Sequence, residues 1–369
     1  MTTPPPSRNT GRAPAPAFDV PIEESLGYVT TGAEIAAALV SHLHRIATAP
    51  PRLTRTGVAA IDRDLTIAPS TVTAILGRPS MGKSVLLKAI VSLEIARLRE
   101  ERRNRASEGV KRGDDPYIAY VNLEEPELKL AIQLSPNLPF TWREFNRGEA
   151  VVNDRALEAS QRTAQFLEDV RVIRHPGMVN GRIAPRLSAR RVLSAVEATT
   201  HENFGRKPSL VVIDYLQLLR GEGTRVSEGS KTEHVMEASE GAMLISRSLD
   251  VPVIMAVQAR RETDGQKGEI PLPGLGDAMW SAQIEQDVDN IIGVVRPMAI
   301  QGMREKIANE GSQTLAFGGK SYNLSQYSGD TLYFVGIAKS RNDDAIGRRY
   351  AFHVHPDTFD VYSDGEHVG

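Results

Sequence analysis

The chain contains no cysteine in 369 residues, which excludes disulfides, thiolate catalysis and zinc–thiolate sites together. It has no excess of either charge, with a formal net charge of −2, so any nucleic-acid surface must be local, such as the lining of a channel or cleft. No apolar run is long enough to span a bilayer. The start, Met1-Thr2-Thr3-Pro4-Pro5-Pro6, lacks the apolar core of a secretory signal. A cytoplasmic protein is the default expectation. What is present, 41% hydrophobic and 24% charged residues, suits a globular protein with an ample core.

Residues 1–27 are rich in proline, alanine and threonine and read as a disordered tail. Thr31-Gly32-Ala33-Glu34 has a capping-box pattern, and Ile35, Leu39, Leu43 and Ile46 follow at helical spacing. That helix, within 28–50, carries an apolar stripe that covers its own domain or docks on a neighbouring subunit. From about residue 51 to 369 the pattern becomes alternating strand and helix. Strands are expected at Val72–Leu76, Tyr117–Val121, Val170–Ile173, Leu210–Ile213, Val251–Val257, Asn290–Val295, Thr331–Ala338 and Tyr350–His355. Apolar strands separated by helices imply an α/β fold, a mainly parallel central sheet with helices on both faces. The polar, glycine-containing stretch from Pro297 to Gly329 yields no structural reading.

The chemistry starts at Gly77-Arg78-Pro79-Ser80-Met81-Gly82-Lys83-Ser84, between the first strand and an apolar helix. This G-x-x-x-x-G-K-S spacing is a phosphate loop. Its glycines let backbone N–H groups close on the anion, Lys83 reaches the outer phosphates and Ser84 offers a hydroxyl to Mg²⁺. In parallel sheets ligands gather outside the carboxyl ends of the strands. Three polar residues occupy such ends. Asp214 can hold the Mg²⁺ shell beside Ser84, Glu124 can orient or deprotonate water, and Gln258 can hydrogen-bond the terminal phosphate or that water. Lys339 and Arg341 follow another strand and are either a solvated strand end or the cations for developing charge.

Together these stretches resemble the RecA-like motor domain, a P-loop NTPase fold, of DnaB-family replicative helicases. Carrying the resemblance are Gly77 to Ser84, Asn122-Leu123-Glu124, Ile213-Asp214-Tyr215-Leu216-Gln217-Leu218 and Val251-Pro252-Val253-Ile254 with Gln258. Ile284-Glu285-Gln286-Asp287-Val288-Asp289 and Ala338-Lys339-Ser340-Arg341-Asn342 complete the set. It spans roughly residues 52–360 in the family's order. The resemblance implies an ATP- and Mg²⁺-dependent helicase or translocase on single-stranded DNA, built as a homo-oligomeric, usually hexameric ring. Lys339 and Arg341 would then act in the adjacent subunit's site, and the helix near Thr31 would be a linker gripping that subunit.

Three departures accompany the likeness. The family's usual N-terminal helical domain has no counterpart in the proline-rich tail, which leaves loader and primase unspecified. The usual Leu-Arg-Glu-Ser-Gly loop is replaced by Ala278-Met279-Trp280-Ser281-Ala282, where Trp280 can stack on a base or pack against a neighbour. Asp343-Asp344 stands where Gly-Pro is usual, adding negative charge beside Arg341. Arg220, Arg225 and Lys231 frame a loop that would face a ring's channel, and Arg260, Arg261 and Lys267 form a second basic group. His353 and His355 share a strand face without a nearby third ligand. The alternative to a helicase is a RecA-type ATPase used as a nucleotide-switched assembly or recruitment module without unwinding activity. A translocase on RNA or duplex DNA is a third reading.

Overall fold

The computed structural model describes residues 30–48, 52–107, 116–135, 138–179, 182–184, 187–202, 206–219, 231–260, 270, 272–278, 283–300, 303–311, 314–324, 331–354, 361 and 366–367. The chain divides into two units, Met1–Pro51 and Arg52–Gly369. The proposed tail 1–27 lies outside the described residues.

In the first unit, helix α1 (Gly32–Thr48) starts at the expected capping box. The Thr31 amide donates to the Glu34 carboxylate at 2.7 Å, and the Glu34 amide donates to Thr31 Oγ1 at 3.2 Å. These bonds satisfy two of the donors that a helix start leaves open. Its stripe is exposed, with Ile35 at 60%, Leu39 at 56% and Leu43 at 56%.

Among the described residues, the second unit is organised by a nine-stranded sheet. In chain order its elements are α2 (Ala59–Asp64), β1 (Val72–Gly77), α3 (Lys83–Ser107), β2 (Tyr117–Asn122), α4 (Glu127–Gln133), α5 (Trp142–Arg147), α6 (Asp154–Leu167) and β3 (Val170–Ile173). A small hairpin, β4 (Met178–Val179) with β5 (Arg182–Ile183), precedes α7 (Ala189–Glu202) and β6 (Pro208–Asp214). Then come α8 (Lys231–Leu249), β7 (Val253–Gln258), α9 (Gln283–Asp287), β8 (Asn290–Val295), α10 (Met303–Glu310), β9 (Thr314–Phe317) and β10 (Lys320–Asn323). The chain ends in β11 (Leu332–Ser340), β12 (Arg349–His353) and β13 (Glu366–His367). The sheet order is β13-β12-β11-β8-β1-β7-β6-β2-β3.

Six of these strands are parallel, because helical crossovers separate them. Every residue of β1, β2, β7 and β8 except Gln258 is buried, as expected of strands covered on both faces. Period-two alternation sorts their side chains between two cores. Ile75 of β1 packs with Leu86, Ile90, Ile118 and Val212 under α3. Its neighbours Val72, Ala74 and Leu76 face the other way, towards Val192, Val196, Ala242 and Ile245 of α7 and α8.

The sheet is mainly parallel, as expected, and departs from parallel pairing at one edge. β11, β12 and β13 are antiparallel to their neighbours. Only the turn 341–348 joins β11 to β12, which is shorter than a parallel crossover requires. The stretch after Pro297 supplies the return from β8 to β11. It forms α10 and the β9–β10 hairpin, and Phe317 stacks on Phe334 at 4.2 Å between ring centroids while Tyr322 meets Phe334 edge-on at 4.9 Å. Met81 of the phosphate loop belongs to this third apolar cluster.

Two ties fix the antiparallel edge to the segment before β1. Asp64 accepts a hydrogen bond from the Tyr350 hydroxyl at 2.8 Å and pairs with Arg348 at 2.5 Å. Asp343 accepts from the Thr66 amide and hydroxyl at 2.7 and 2.9 Å.

Gly293 of β8 faces the Pro273 carbonyl so closely that a Cβ there would lie 2.0 Å from its oxygen. Gly293→Ala is therefore expected to destabilise the second unit by about 1–3 kcal/mol, read as a lower midpoint in chemical denaturation at unchanged slope. An unchanged midpoint would show that the 272–278 segment yields freely.

Candidate functional site

Five strand ends converge because β8, β1, β7, β6 and β2 are adjacent and parallel. Their carboxyl ends deliver Arg296, the phosphate loop, Gln258, Asp214 and Glu124 to one edge of the sheet. There they border a cavity of about 550 Å³ together with Pro79, Ser80, Gly82, Lys83, Ser84, Glu125, Lys129 and Tyr215. That volume is in the ordinary range for small-molecule sites, about 300–1,000 Å³.

The loop takes its shape from two residues in the left-handed region, Ser80 at φ 65° and Gly82 at φ 94°. A side chain at Gly82 would meet the Tyr333 ring at 2.2 Å, so this glycine is required for both conformation and space. α3 begins directly afterwards, with the Leu86 amide donating to the Gly82 carbonyl at 3.0 Å. Its first-turn N–H groups thus open towards the cavity, where an anion is favoured. Lys83 Nζ donates to the Arg78 carbonyl at 3.0 Å. Gly77, Arg78 and Met81 do not line the cavity: Met81 turns into the third apolar cluster, which anchors the loop.

Ser84 Oγ donates to Asp214 Oδ1 at 3.1 Å, and the Tyr120 hydroxyl donates to Asp214 Oδ2 at 3.0 Å. Burial pushes the Asp214 pKa up, opposed by the Lys88 charge and the Tyr120 and Ser84 hydrogen bonds. Burial lowers that of Lys83, opposed by the charges of Asp214 and Glu124. The Glu124 carboxyl is raised, first by burial and then by the negative charges of Asp214 and Glu125. Gln258 is held by backbone-to-side-chain bonds: its amide donates to Gln217 Oε1 at 3.2 Å and its carbonyl accepts from Gln217 Nε2 at 3.3 Å.

A hydroxyl and a carboxylate oxygen at this separation are the hard oxygen donors that Mg²⁺ prefers. No group of three or more His, Cys, Asp or Glu suited to a metal occurs among the described residues. Ser84 and Asp214 therefore fit an ion that draws its other ligands from phosphates and water. His353 instead hydrogen-bonds Thr331 at 3.2 Å, and His355 lies outside the described residues.

Lys339 and Arg341 are absent from the cavity. β11 runs antiparallel to β8, with Lys339 opposite Ile291 and Ser340 opposite Asn290, so both cations sit at the amino end of the parallel strands. That is a strand length from the phosphate loop, roughly 15–20 Å at ~3.3 Å per residue. Lys339 Nζ donates to the carbonyls of Glu285 and of Val288, the latter at 2.7 Å. Arg341 pairs with Asp289 at 3.2 Å and donates to the Gln286 carbonyl. Asp343 is committed to Thr66, so the added charge expected beside Arg341 is partly absorbed by a structural contact. Arg220, Arg225, Arg261, Lys267 and Trp280, with the rest of Met279–Ala282, lie outside the described residues, and Lys231 is described only as the first residue of α8.

Sequence reasoning passed over Arg296, Lys88, Lys129 and Tyr120. Arg296 follows β8 as Asp214 ends β6, and the strand-end rule that found Asp214 also applies to it. The other three become site residues only through packing.

The DnaB-like helicase C-terminal domain family matches residues 54–360. The Replicative DNA helicase DnaB of Geobacillus stearothermophilus is 34% identical over 87 residues, 24% of this chain and 18% of that protein. That of Rickettsia prowazekii is 29% identical over 136 residues, 36% of this chain and 25% of the relative. The matched stretches are thus at most about a quarter of these curated relatives' length. Among solved structures, an ATPase domain superposes with a TM-score of 0.62 at 18% identity, covering 90% of this chain and 99% of that one. "The Structure Of A DnaB-Like Replicative Helicase And Its Interactions With Primase" gives 0.60 at 18%, covering 89% and 66%. Both likenesses concern the fold, a RecA-like α/β domain.

Gly82→Ala is expected to lower the affinity for a non-hydrolysable nucleoside triphosphate by at least about tenfold, because the loop must move away from Tyr333. Calorimetric titration against the parent protein measures it; unchanged affinity would mean that the phosphates are held elsewhere.

Proposed function

The chain belongs to the DnaB-like helicase C-terminal domain family, and on that basis we propose that it is an ATP-hydrolysing, ring-forming translocase on single-stranded DNA that serves as a helicase in replication. The observation that carries this reading is the division of its catalytic groups between two edges of one sheet. Lys83, Ser84, Glu124, Asp214 and Gln258 share a cavity at one edge, while Lys339 and Arg341 stand at the other. A subunit so built holds two half-sites, and a closed head-to-tail arrangement completes each. Six subunits is the number the family likeness suggests. The exposed stripe of α1 suits the role of a linker packed on the neighbouring subunit.

In the completed site, backbone N–H groups of the loop and Lys83 hold the phosphate chain of ATP. Ser84 and Asp214 would hold Mg²⁺, which when bound neutralises charge on the phosphate oxygens. Glu124 orients the attacking water and accepts its proton, and Gln258 hydrogen-bonds the terminal phosphate. Arg341 of the partner subunit meets the charge that develops on the transferred phosphoryl group, with Lys339 of the partner subunit beside it. Hydrolysis at successive interfaces then moves channel-facing loops along the strand. A cytoplasmic location goes with a replication role; no described helix is long and apolar enough to cross a membrane.

Lys83→Ala is expected to abolish turnover, and Arg341→Ala to lower it by about 10³-fold or more while leaving nucleotide binding intact. Mixing the two inactive variants restores part of the activity, because intact loops then meet intact arginines. Full turnover by Arg341→Ala, or mixtures as inactive as their components, would refute action across the interface. Turnover should rise with single-stranded DNA; no stimulation by it and no strand displacement would favour the assembly or recruitment module.

The pH dependence has a definite sign. A carboxyl with raised pKa keeps its proton to higher pH, so as pH falls Glu124 is lost as a base earlier than an ordinary glutamate. The acid limb of kcat/KM, which reports the free enzyme, should therefore lie above 4.5, the ordinary value, and Glu124→Gln should remove turnover. An acid limb at or below that value would exclude Glu124 as the group titrating.

A further inference from the structure

Lys88 is 1% exposed on the apolar face of α3, and it lies four residues after Ser84, hence on the same side of the helix. A lysine buried so completely costs several kcal/mol unless it is paired and hydrogen-bonded. Here its ammonium donates to the Glu125 carboxylate and to Gln133 Oε1, linking α3 to α4. The other Glu125 oxygen pairs with Lys129 at 2.6 Å.

The backbone of Glu125 is fixed as firmly as its side chain. Its amide donates to Asn122 Oδ1 at 3.1 Å, and its carbonyl accepts from Asn122 Nδ2 at 2.8 Å. On the other side, the Leu123 amide donates to the Asp214 carbonyl at 3.0 Å. Glu124 therefore stands between two anchored neighbours, while its own carboxylate has no hydrogen bond or ion pair among the described residues. Two adjacent glutamates border the cavity, and only one is left to face it unengaged.

We propose that Lys88 is a positioning residue of the hydrolytic site: by holding Glu125 and Gln133 from inside α3, it fixes the turn after β2 so that Glu124, and not Glu125, is presented to the water. This rests on the reading that Glu124 acts on that water. Lys88 touches no substrate. Its charge also opposes the upward push of burial on Asp214 and holds Glu125 below the ordinary glutamate range against its own burial. Without it, Glu125 would keep only Lys129, and two less well compensated carboxylates would crowd Asp214. They would repel one another, compete for the cation and take up protons at higher pH.

The test uses the full chain with Lys88→Met and the double variant Lys88→Met/Glu125→Met, each measured for kcat, KM, the pH profile, binding of a non-hydrolysable ATP analogue and Tm. Lys88→Met should lose ten- to a hundredfold in kcat, the cost of a slight misplacement of a reacting group. Analogue affinity should stay within about threefold, because Lys83 and the loop are untouched, and the acid limb should move upward. Should the single variant fail to fold, the double variant decides, since two apolar groups replace a buried pair with little loss of stability. Expected there is a Tm near the parent's with kcat still depressed, because the turn has lost its hold. A double variant that regains both Tm and kcat would reduce Lys88 to a structural partner and overturn the proposal. A parent that binds the analogue but never turns over ATP instead defeats the hydrolytic reading itself, and the role of Lys88 with it.

Discussion

The parallel pairing of β1 with β7 on one side and β8 on the other is the constraint from which the rest of the molecule follows. Hydrogen bonds along both edges leave β1 no freedom to slide, and a one-residue slip would exchange the residues facing its two cores. The loop at its carboxyl end consequently departs from a fixed point. Gln258, Asp214 and Glu124 inherit their places from the same lattice, each at the end of a strand held in register. The site needs no special scaffold; it is where parallel strands stop.

Electrostatics then differentiates groups that the sheet merely gathers. Three carboxylates, Glu124, Glu125 and Asp214, and two lysines, Lys83 and Lys129, line the cavity, with Lys88 buried behind them. Glu125 is taken up by Lys88 and Lys129, and Asp214 by Ser84 and Tyr120. Glu124 alone is left with a raised pKa and no bonded partner among the described residues. Adjacent residues of identical chemistry thus acquire different electrostatic states from their surroundings.

Much of this was legible in the sequence, for identifiable reasons. Buried parallel strands are continuous apolar runs, so Asn290–Val295 was readable to the residue, as was the half-exposed edge strand Val170–Ile173, and the others to within about two. The phosphate loop was readable from its spacing, and Glu124, Asp214 and Gln258 from their places at or just after the ends of apolar strands. Strand direction was not, because β11 is as apolar as β8 although it runs the other way. The hairpin β9–β10 was hidden because its strands place only a few aromatics inward and expose the rest. Lys88 was hidden for the opposite reason: in an amphipathic helix a lysine signals solvent, and only the approach of α4 turns it inward.

Asp289 gives the separation of the two edges a mechanical meaning. One of its oxygens accepts from the Val72 amide at 2.8 Å, and the other holds Arg341 at 3.2 Å. Val72 opens the strand whose far end becomes the phosphate loop. A pull on Arg341 is therefore borne by a carboxylate bolted to the foot of β1, and β1 is too tightly paired to absorb it by bending. The strand resembles a push-rod: displacement at its foot must either break a hydrogen bond or be passed towards the phosphate loop at its other end.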